Sequence, residues 1–404
     1  METLSMQDFN PAKFIDTSVP EIRALIGNRK ALIAVSGGVD STVCAVLVKK
    51  AIGENLLCVI LDDAFMRKGE PQHIAQILSA SPLGLPMKVL DVQARFLQAL
   101  SNLRDAEEKR KMFRDTFYKV LGETAKKERC EMLVQGTIKA DVLETTGGVK
   151  TQHNVLKQMG INTIEEYGFK VVEPIETLFK SQVRILARHL GVPTEIAERQ
   201  PFPGPGLSVR VVGEITPEKL ASEIEATSVV EKHFTKHDPS QFFAATIDNN
   251  AVSYPRTSQI KETVARVLNV PARHVLVKIL EAKATGLQGG KRAYGGIATI
   301  RVQTENQLLH QPPLAQLSSL QAEITGKDQF PTRILYTIKE KFNTQPYITV
   351  LRAIQTRDFL TAKVSDIPWT TLNETADEIL QTCTNIAAVY YDITSKPPAT
   401  VEFE

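Results

Sequence analysis

Short runs of β-branched and apolar residues alternate with amphipathic helical patterns over residues 30–200. These runs predict buried strands at 30–36, 55–61, 87–92 and 130–136. Apolar residues at three- and four-residue spacing predict helices at 40–52, 69–80, 104–128 and 178–190. Strands that alternate with helices are typical of a parallel sheet. We therefore expect an α/β domain over residues 1–213.

The pattern changes after PFPGPG (201–206), whose proline and glycine content predicts a rigid, irregular loop. Strand patterns then occur at 275–280, 297–303, 347–354 and 387–393, and helical patterns at 218–234 and 373–383. They predict a second, α+β domain over 214–404. Residues 293–303 and 346–358 share a strand-then-charge pattern, and the Pro/Gln-rich stretch 310–317 lies between them. A duplication into subdomains 214–325 and 326–404 stays open beside a single domain.

Composition narrows the class of partner. The chain has 404 residues, with 48 basic and 46 acidic side chains and a net charge of +2, which gives no electrostatic case for a nucleic acid partner. No apolar run approaches the roughly 20 residues that cross a bilayer, and the N-terminus lacks a signal-peptide pattern. The four cysteines form no CxxC pair. We expect a cytoplasmic protein of two to three domains, without a membrane partner, a disulfide framework or a zinc knuckle.

The string AVSGGVDST (34–42) follows a predicted strand and opens a predicted helix. Backbone N–H groups at such a helix start bind anions, and paired glycines admit a phosphate closely. A glycine turn with a polar cap is the alternative interpretation. The lysine of the GxxxxGK[ST] loop is absent, so amides and hydroxyls would hold the phosphates. The string is the motif of N-type ATP pyrophosphatases, which cleave ATP between the α- and β-phosphates.

Six further strings resemble the synthetase and dimerisation domains of GMP synthases, and the resemblance runs from about residue 25 to the last residue. They are QGTIKADVLET (135–145), KTQHNV (150–155), VVEPIETLFKSQVRILARHLGVP (171–193), RQPFPGPGLSVRV (199–211), GLQGGKRAY (286–294) and YDITSKPPATVEFE (391–404). The resemblance implies a parallel-sheet ATP pyrophosphatase domain followed by an α+β dimerisation domain. It also implies adenylation of XMP, replacement of its C2 oxygen by ammonia, and release of AMP and pyrophosphate.

The family resemblance assigns roles to individual residues. Asp40, Lys150, His153 and Glu173 are candidate catalytic residues, and Asp40 and Glu173 are also candidate Mg²⁺ ligands. Candidate ATP-binding residues are Ser36, Gly37, Gly38, Val39, Asp40, Ser41, Thr42, Asp62, Arg67 and Gly136. Candidate XMP-binding residues are Arg210, Gln288, Lys396, Val401 and Glu402. The resemblance further implies a homodimer.

Several positions depart from the family pattern. Only about 30 residues precede the first predicted strand, so we expect this chain to lack the family's usual glutamine amidotransferase domain and to take ammonia from solution or from a separate subunit. Asp63, Gln152 and Gln200 replace residues of the family's strings. These changes leave open a paralogue that acts on another purine nucleotide or uses another nucleophile, and a non-catalytic nucleotide sensor. A tRNA-thiolating enzyme is disfavoured because CxxC pairs and a basic excess are absent.

Overall fold

The computed structural model describes residues 9–146, 163–289, 291–326, 330–341, 344–356 and 360–404. They divide into two compact units. The first comprises residues up to 99 together with 112–204, and the second comprises 100–111 together with 205–404. Within the described ranges, no helix is long and apolar enough to cross a bilayer.

The first unit is built on a five-stranded sheet whose strands all run parallel, in the order β3-β2-β1-β4-β5. The strands are β1 (Ala31–Ala34), β2 (Leu56–Asp62), β3 (Met87–Asp91), β4 (Met132–Val134) and β5 (Lys170–Val172). The four predicted strands are confirmed. Strand β5 is as short as β4, but it begins with the exposed Lys170 and only Val172 is buried, so no apolar run marks it in the sequence.

Helices precede, follow and connect these strands. They are α1 (Pro11–Ile26), α2 (Val39–Ile52), α3 (Glu70–Ser79), α4 (Gln93–Leu100), α5 (Ala106–Glu128), α6 (Lys139–Thr146), α7 (Thr163–Tyr167), α8 (Lys180–His189) and α9 (Thr194–Ala197). Helix α2 is apolar on nearly all sides and is buried accordingly, with Val43 to Val48 in the core. Burial of Val39 and Thr42 fixes the first turn of α2, while Asp40 and Ser41 stay partly exposed.

The second unit contains an eight-stranded mixed sheet. Its strands are β6 (Gln241–Asp248), β7 (Ala251–Val252), β8 (Val275–Gln288), β9 (Lys291–Val302), β10 (Arg333–Glu340), β11 (Tyr347–Gln355), β12 (Lys363–Val364) and β13 (Ile386–Asp392). Its helices are α10 (Pro217–Phe234), α11 (Thr257–Val267), α12 (Leu314–Thr325) and α13 (Trp369–Thr382). The predicted strands and helices are present, whereas β6, β7, β10, β12, α11 and α12 were not predicted.

The two similar sequence patterns of the second half occupy equivalent positions in this sheet. Residues 293–303 fall mainly in β9, which pairs in parallel with β10 after α12. Residues 346–358 include β11, which pairs in parallel with β13 after α13. One sheet and one buried cluster run through both halves, and the stretch 310–317 enters helix α12 at Leu314.

Residues 205–213 group with the second unit, although the sequence analysis assigned them to the first domain. Their backbone explains this grouping. The Val212 N–H donates to the Thr246 carbonyl at 2.9 Å, and the Thr246 N–H donates to the Arg210 carbonyl at 2.9 Å. The segment is thus hydrogen-bonded to strand β6.

Candidate active site

The predicted phosphate loop connects the central strand β1 to helix α2. Gly37 has φ +74°, a left-handed conformation that glycine adopts readily, and Gly38 caps α2 with an extended backbone. Ser36 and Ser41 lie with their Oγ atoms 3.2 Å apart, and the Thr42 Oγ1 donates to the Gly38 carbonyl at 2.9 Å. The positive end of α2 therefore begins in a glycine turn with two hydroxyl groups beside it.

The loop lies where the strand order of the sheet reverses. The chain proceeds outward from β1 to β2 and β3, and then returns to place β4 on the other side of β1. In open parallel sheets, ligands bind at the carboxyl edge at such a reversal. Gly136, two residues after β4, packs on the loop: a Cβ added there would lie 2.9 Å from the Ser41 nitrogen. The structure thus brings the predicted residue Gly136 to the start of α2.

The two predicted metal ligands converge on the same helix. The Asp40 Oδ2 accepts from the Lys180 Nζ at 2.5 Å, and the Glu173 Oε1 accepts from the Thr137 Oγ1 at 2.7 Å. Thr137 adjoins Gly136, which packs on the first turn of α2, so Glu173 is held near that turn. Burial raises the pKa of the Cys44 thiol, and the negative charges of Asp40 and Glu173 raise it further.

The Asp40 carboxylate has an oxygen that suits a cation. Its Oδ1 is buried and accepts no hydrogen bond from the described residues. Oxygen ligands of this kind are what Mg²⁺ prefers, and in phosphate sites one or two carboxylates complete a shell supplied by phosphates and water. The described residues contain no group of three or more potential metal ligands, so the phosphates would have to supply the rest.

Asp62 ends strand β2, and Arg67 follows five residues later. The Asp62 Oδ2 accepts from the Gln72 Nε2 at 3.3 Å. The Arg67 Nη1 donates to the Glu70 Oε1 at 3.3 Å, and its guanidinium lies 4.2 Å from the centroid of the Phe202 ring. Arg67 is therefore held by a carboxylate and an aromatic ring.

Sequence reasoning missed two cations beside the loop. The Arg199 Nη1 lies 3.5 Å from the Gly37 carbonyl, and Lys180 pairs with Asp40. Both occur inside strings that carried the family resemblance, RQPFPGPG and LFKSQVR. Their positions in those strings could have identified them as candidate phosphate-binding residues. Arg199, for example, is separated from the PFPGPG loop by a single residue. The predicted lid residues Lys150 and His153, with the altered Gln152, lie outside the described residues.

The predicted XMP residues Arg210 and Glu402 meet in the second unit. The Arg210 guanidinium is 1% exposed, and its Nε and Nη2 each donate to Glu402 at 3.0 Å. Phe243 lies under the guanidinium at 4.1 Å, and the Gln241 Nε2 donates to the Glu402 carboxylate at 2.9 Å. The sequence predicted a shared site for these two residues, but not the glutamine and phenylalanine that hold them.

A buried charge cluster anchors the C-terminal tail that carries Val401 and Glu402. Arg333 and Arg352 both pair with Asp392, at 2.9 and 2.6 Å, and all three side chains are fully buried. Arg352 also donates to the Val401 carbonyl at 2.8 Å. Burial and the charge of Arg352 lower the pKa of Arg333 to about 9. The tail is consequently held in one place.

The remaining XMP candidates are fixed through their backbone. The Lys396 N–H donates to the Ala362 carbonyl at 2.8 Å, and the Ala362 N–H donates back at 3.0 Å. Gln288 ends strand β8 opposite Lys291, and its side chain lies outside what the structure describes.

Comparisons with known proteins match both units. A family model described as NAD synthase matches residues 12–207, and one described as GMP synthase C terminal domain matches residues 337–403. The chain is 41% identical to a subunit of the glutamine-hydrolyzing GMP synthase of Sulfurisphaera tokodaii, over 98% of this chain and 100% of that protein. It is 36% identical to the corresponding subunit from Methanopyrus kandleri, with the same coverage. The solved structure of NMN synthetase from Francisella tularensis is 20% identical, with a TM-score of 0.39, over 50% of this chain and 79% of that one.

Proposed function

The chain belongs to the family of glutamine-hydrolyzing GMP synthase subunits that these relatives form, and on this basis we propose that it aminates XMP to GMP at the expense of ATP, releasing AMP and pyrophosphate. It is an ATP-dependent ligase that forms a C–N bond. In the first half-reaction the O2 oxygen of XMP attacks the α-phosphorus of ATP, and pyrophosphate leaves. In the second, ammonia attacks C2, and AMP leaves with the oxygen.

The observation that carries this proposal is the geometry of the phosphate loop. Gly37 in its left-handed conformation and the open start of α2 present backbone N–H groups at the strand-order reversal. Ser36 and Ser41 add hydroxyl donors for the β- and γ-phosphates. The loop lacks the lysine of phosphoryl-transfer loops, so amides and hydroxyls would bind the β- and γ-phosphates. A site that holds these two phosphates as the leaving pyrophosphate suits attack at the α-phosphorus.

Asp40 and Glu173 are the residues that would hold Mg²⁺ here, because both are carboxylates beside α2 and the Asp40 Oδ1 is buried without a described partner. Bound Mg²⁺ would neutralise charge on the phosphate oxygens. Lys180 pairs with the other carboxylate oxygen of Asp40, Oδ2. We assign Lys150 and His153 to adenylation on the resemblance of their string alone.

The second unit would bind the XMP nucleotide. Arg210 with Glu402, Lys396 and Gln288 supply a cationic and amide set suited to a phosphate and to nucleotide hydroxyls. The relatives are named as a subunit of a glutamine-hydrolyzing synthase, which supports ammonia delivery by a separate glutamine amidotransferase. A homodimer belongs to the same proposal. The full-length similarity favours XMP over the paralogue and sensor alternatives.

A product assay tests the function. The full chain is incubated with Mg-ATP, XMP and ammonium, and AMP, pyrophosphate and GMP are quantified. We expect the three products in equal amounts. Pyrophosphate without GMP would contradict XMP as the substrate, and absence of ATP turnover would favour a sensor.

Asp40→Asn supplies the matched variant for this assay. Loss of one ligand charge should lower kcat by about 100-fold or more. It should change stability little, because the ion pair of Asp40 with Lys180 is partly exposed. Glu54→Gln, which removes a carboxylate that is 89% exposed beyond the other end of α2, should retain full activity. Equal losses in both variants would argue against a specific role for Asp40.

A further inference from the structure

Glu70 is a buried carboxylate at the start of helix α3 that binds two arginines. Its side chain is only 4% exposed. The Oε2 accepts from the Arg67 backbone N–H at 2.8 Å, and the Oε1 accepts from the Arg67 Nη1 at 3.3 Å. The same Oε1 forms an ion pair with the Arg199 Nη2. One carboxylate therefore fixes two guanidinium groups.

The Arg199 guanidinium lies directly on the phosphate loop. Its Nη1 is 3.5 Å from the Gly37 carbonyl and would be 2.9 Å from a Cβ added at Gly37. The guanidinium thus occupies the space that a side chain at position 37 would need. Its other nitrogen is held by Glu70, and this contact limits the directions in which the guanidinium can point.

The charge of Arg67, Glu70 and Arg199, and the ring that packs on Arg67, favour the binding of an anion. Two guanidiniums share one carboxylate, so Arg67, Glu70 and Arg199 carry a net charge of +1 beside a helix start that also attracts anions. Phe202 packs against the Arg67 guanidinium at 4.2 Å and so restrains the Arg67–Glu70 pair. A paired, desolvated arginine keeps its orientation when a phosphate arrives, which reduces the entropic cost of binding.

We propose that Glu70 is a positioning residue that holds Arg199 over the loop at Gly37, where Arg199 contacts the pyrophosphate part of ATP. This inference rests on the proposed function only in so far as the loop binds ATP. Arg67 and Phe202 act through Glu70. A purely structural role for Glu70 would affect stability alone. The proposed role requires that Glu70 affect anion binding only through its contact with Arg199.

A double-mutant cycle on anion binding tests the proposal. Binding of inorganic pyrophosphate with Mg²⁺ to the full chain is measured by calorimetry for the wild type, Glu70→Gln, Arg199→Met and the double variant. Each single change should weaken binding about tenfold, as expected for loss of a charge-assisted contact. The double variant should also lose about tenfold, because Glu70 acts through Arg199.

Two results would overturn the proposal: wild-type affinity in Glu70→Gln, or a loss in the double variant equal to the product of the single losses. Glu123→Gln, the same change in an exposed Arg–Glu pair of the first unit, should bind pyrophosphate like the wild type. Thermal unfolding of each variant identifies a folding defect. If Glu70→Gln does not fold, unchanged pyrophosphate affinity in Arg199→Met still refutes the contact.

The same samples separate this inference from the proposed function. GMP formation is measured in parallel for the wild type. A wild type that binds pyrophosphate but makes no GMP would count against XMP amination and leave the Glu70 result standing. A wild type that does not bind pyrophosphate would refute the inference.

Discussion

Asp63 is a carboxyl group buried at the carboxyl edge of the first sheet, at a position where the family string has asparagine. Its Oδ1 accepts the Phe65 N–H at 2.8 Å. Burial raises the pKa of Asp63 from its usual 3.8 to about 7, and the negative charges of Asp62 and Glu70 add to this. The folded chain therefore holds a proton on Asp63 over a range of pH in which the unfolded chain has released it.

This shift predicts a pH-dependent stability. Because the folded pKa lies above the unfolded one, the free energy of unfolding falls as pH rises from 3.8 to about 7, and the loss is complete above that range. Asp63→Asn removes the titration and can keep the hydrogen bond from Phe65. Its advantage in unfolding free energy over the wild type should grow by roughly 3 kcal/mol between about pH 5 and pH 8.

Denaturant unfolding at the two pH values measures this difference. The exposed Asp115→Asn is the control, and its effect should be the same at both. An Asp63→Asn variant whose advantage does not change with pH would show that Asp63 is ionised in the folded chain at neutral pH.

At the scale of elements, the contact of β4 with α2 depends on the absence of a side chain at Gly136. A Cβ there would lie 2.9 Å from the Ser41 nitrogen and 3.0 Å from the Asp40 carbonyl carbon, both backbone atoms that cannot move alone. Gly136→Ala should therefore displace the first turn of α2, raise the KM for ATP at least about tenfold and cost about 1–3 kcal/mol of stability.

Steady-state kinetics with thermal unfolding separates the two effects of Gly136→Ala. Gly84→Ala is the control because its backbone φ of +54° is unfavourable for alanine while its Cβ would meet nothing within 4 Å. It should lose stability with an unchanged KM for ATP. The account of the loop is wrong if Gly136→Ala keeps the wild-type KM.

The C-terminal tail depends on Asp392 at the end of β13. Its carboxylate neutralises the charge of two buried arginines, Arg333 and Arg352, on the two strands that flank β13. Asp392→Asn leaves both guanidiniums without their counter-charge, so unfolding should become easier by about 3–5 kcal/mol and the KM for XMP should rise. The exposed Asp377→Asn, which removes an ion pair with Lys339, should cost less than about 1 kcal/mol. Equal stability of the two variants in denaturant unfolding would contradict the anchoring role.

The sequence predicted elements whose pattern is strong and local. Strands β1 to β4 and helix α2 follow from periodicity, and the phosphate loop from one string of nine residues. Strand β5 was missed because its apolar run is only two residues long, and β6 because the first half of QFFAATID contains no β-branched residue. The pairs Arg199–Glu70, Arg333–Asp392 and Arg352–Asp392 were missed because each joins residues distant in sequence, and periodicity carries no information about tertiary pairing.

At the scale of the whole molecule, the proposed function assigns one substrate to each unit. The loop that suits the pyrophosphate of ATP lies in the first unit, and the Arg210–Glu402 pair assigned to XMP lies in the second. Length and composition predicted more than one domain, and the family strings predicted what each would bind. Local patterns could not predict that residues 100–111 join the second unit, where Lys109 forms a buried ion pair with Glu404.

The central claim is that ATP activates the O2 oxygen of XMP for displacement by ammonia. Isotope transfer tests it most directly: XMP carrying ¹⁸O at position 2 is converted with Mg-ATP and ammonium, and the products are analysed by mass spectrometry. We expect one ¹⁸O in AMP, none in pyrophosphate, and GMP in equal amount to AMP. Label in inorganic phosphate with formation of ADP, or AMP without label, would contradict the account.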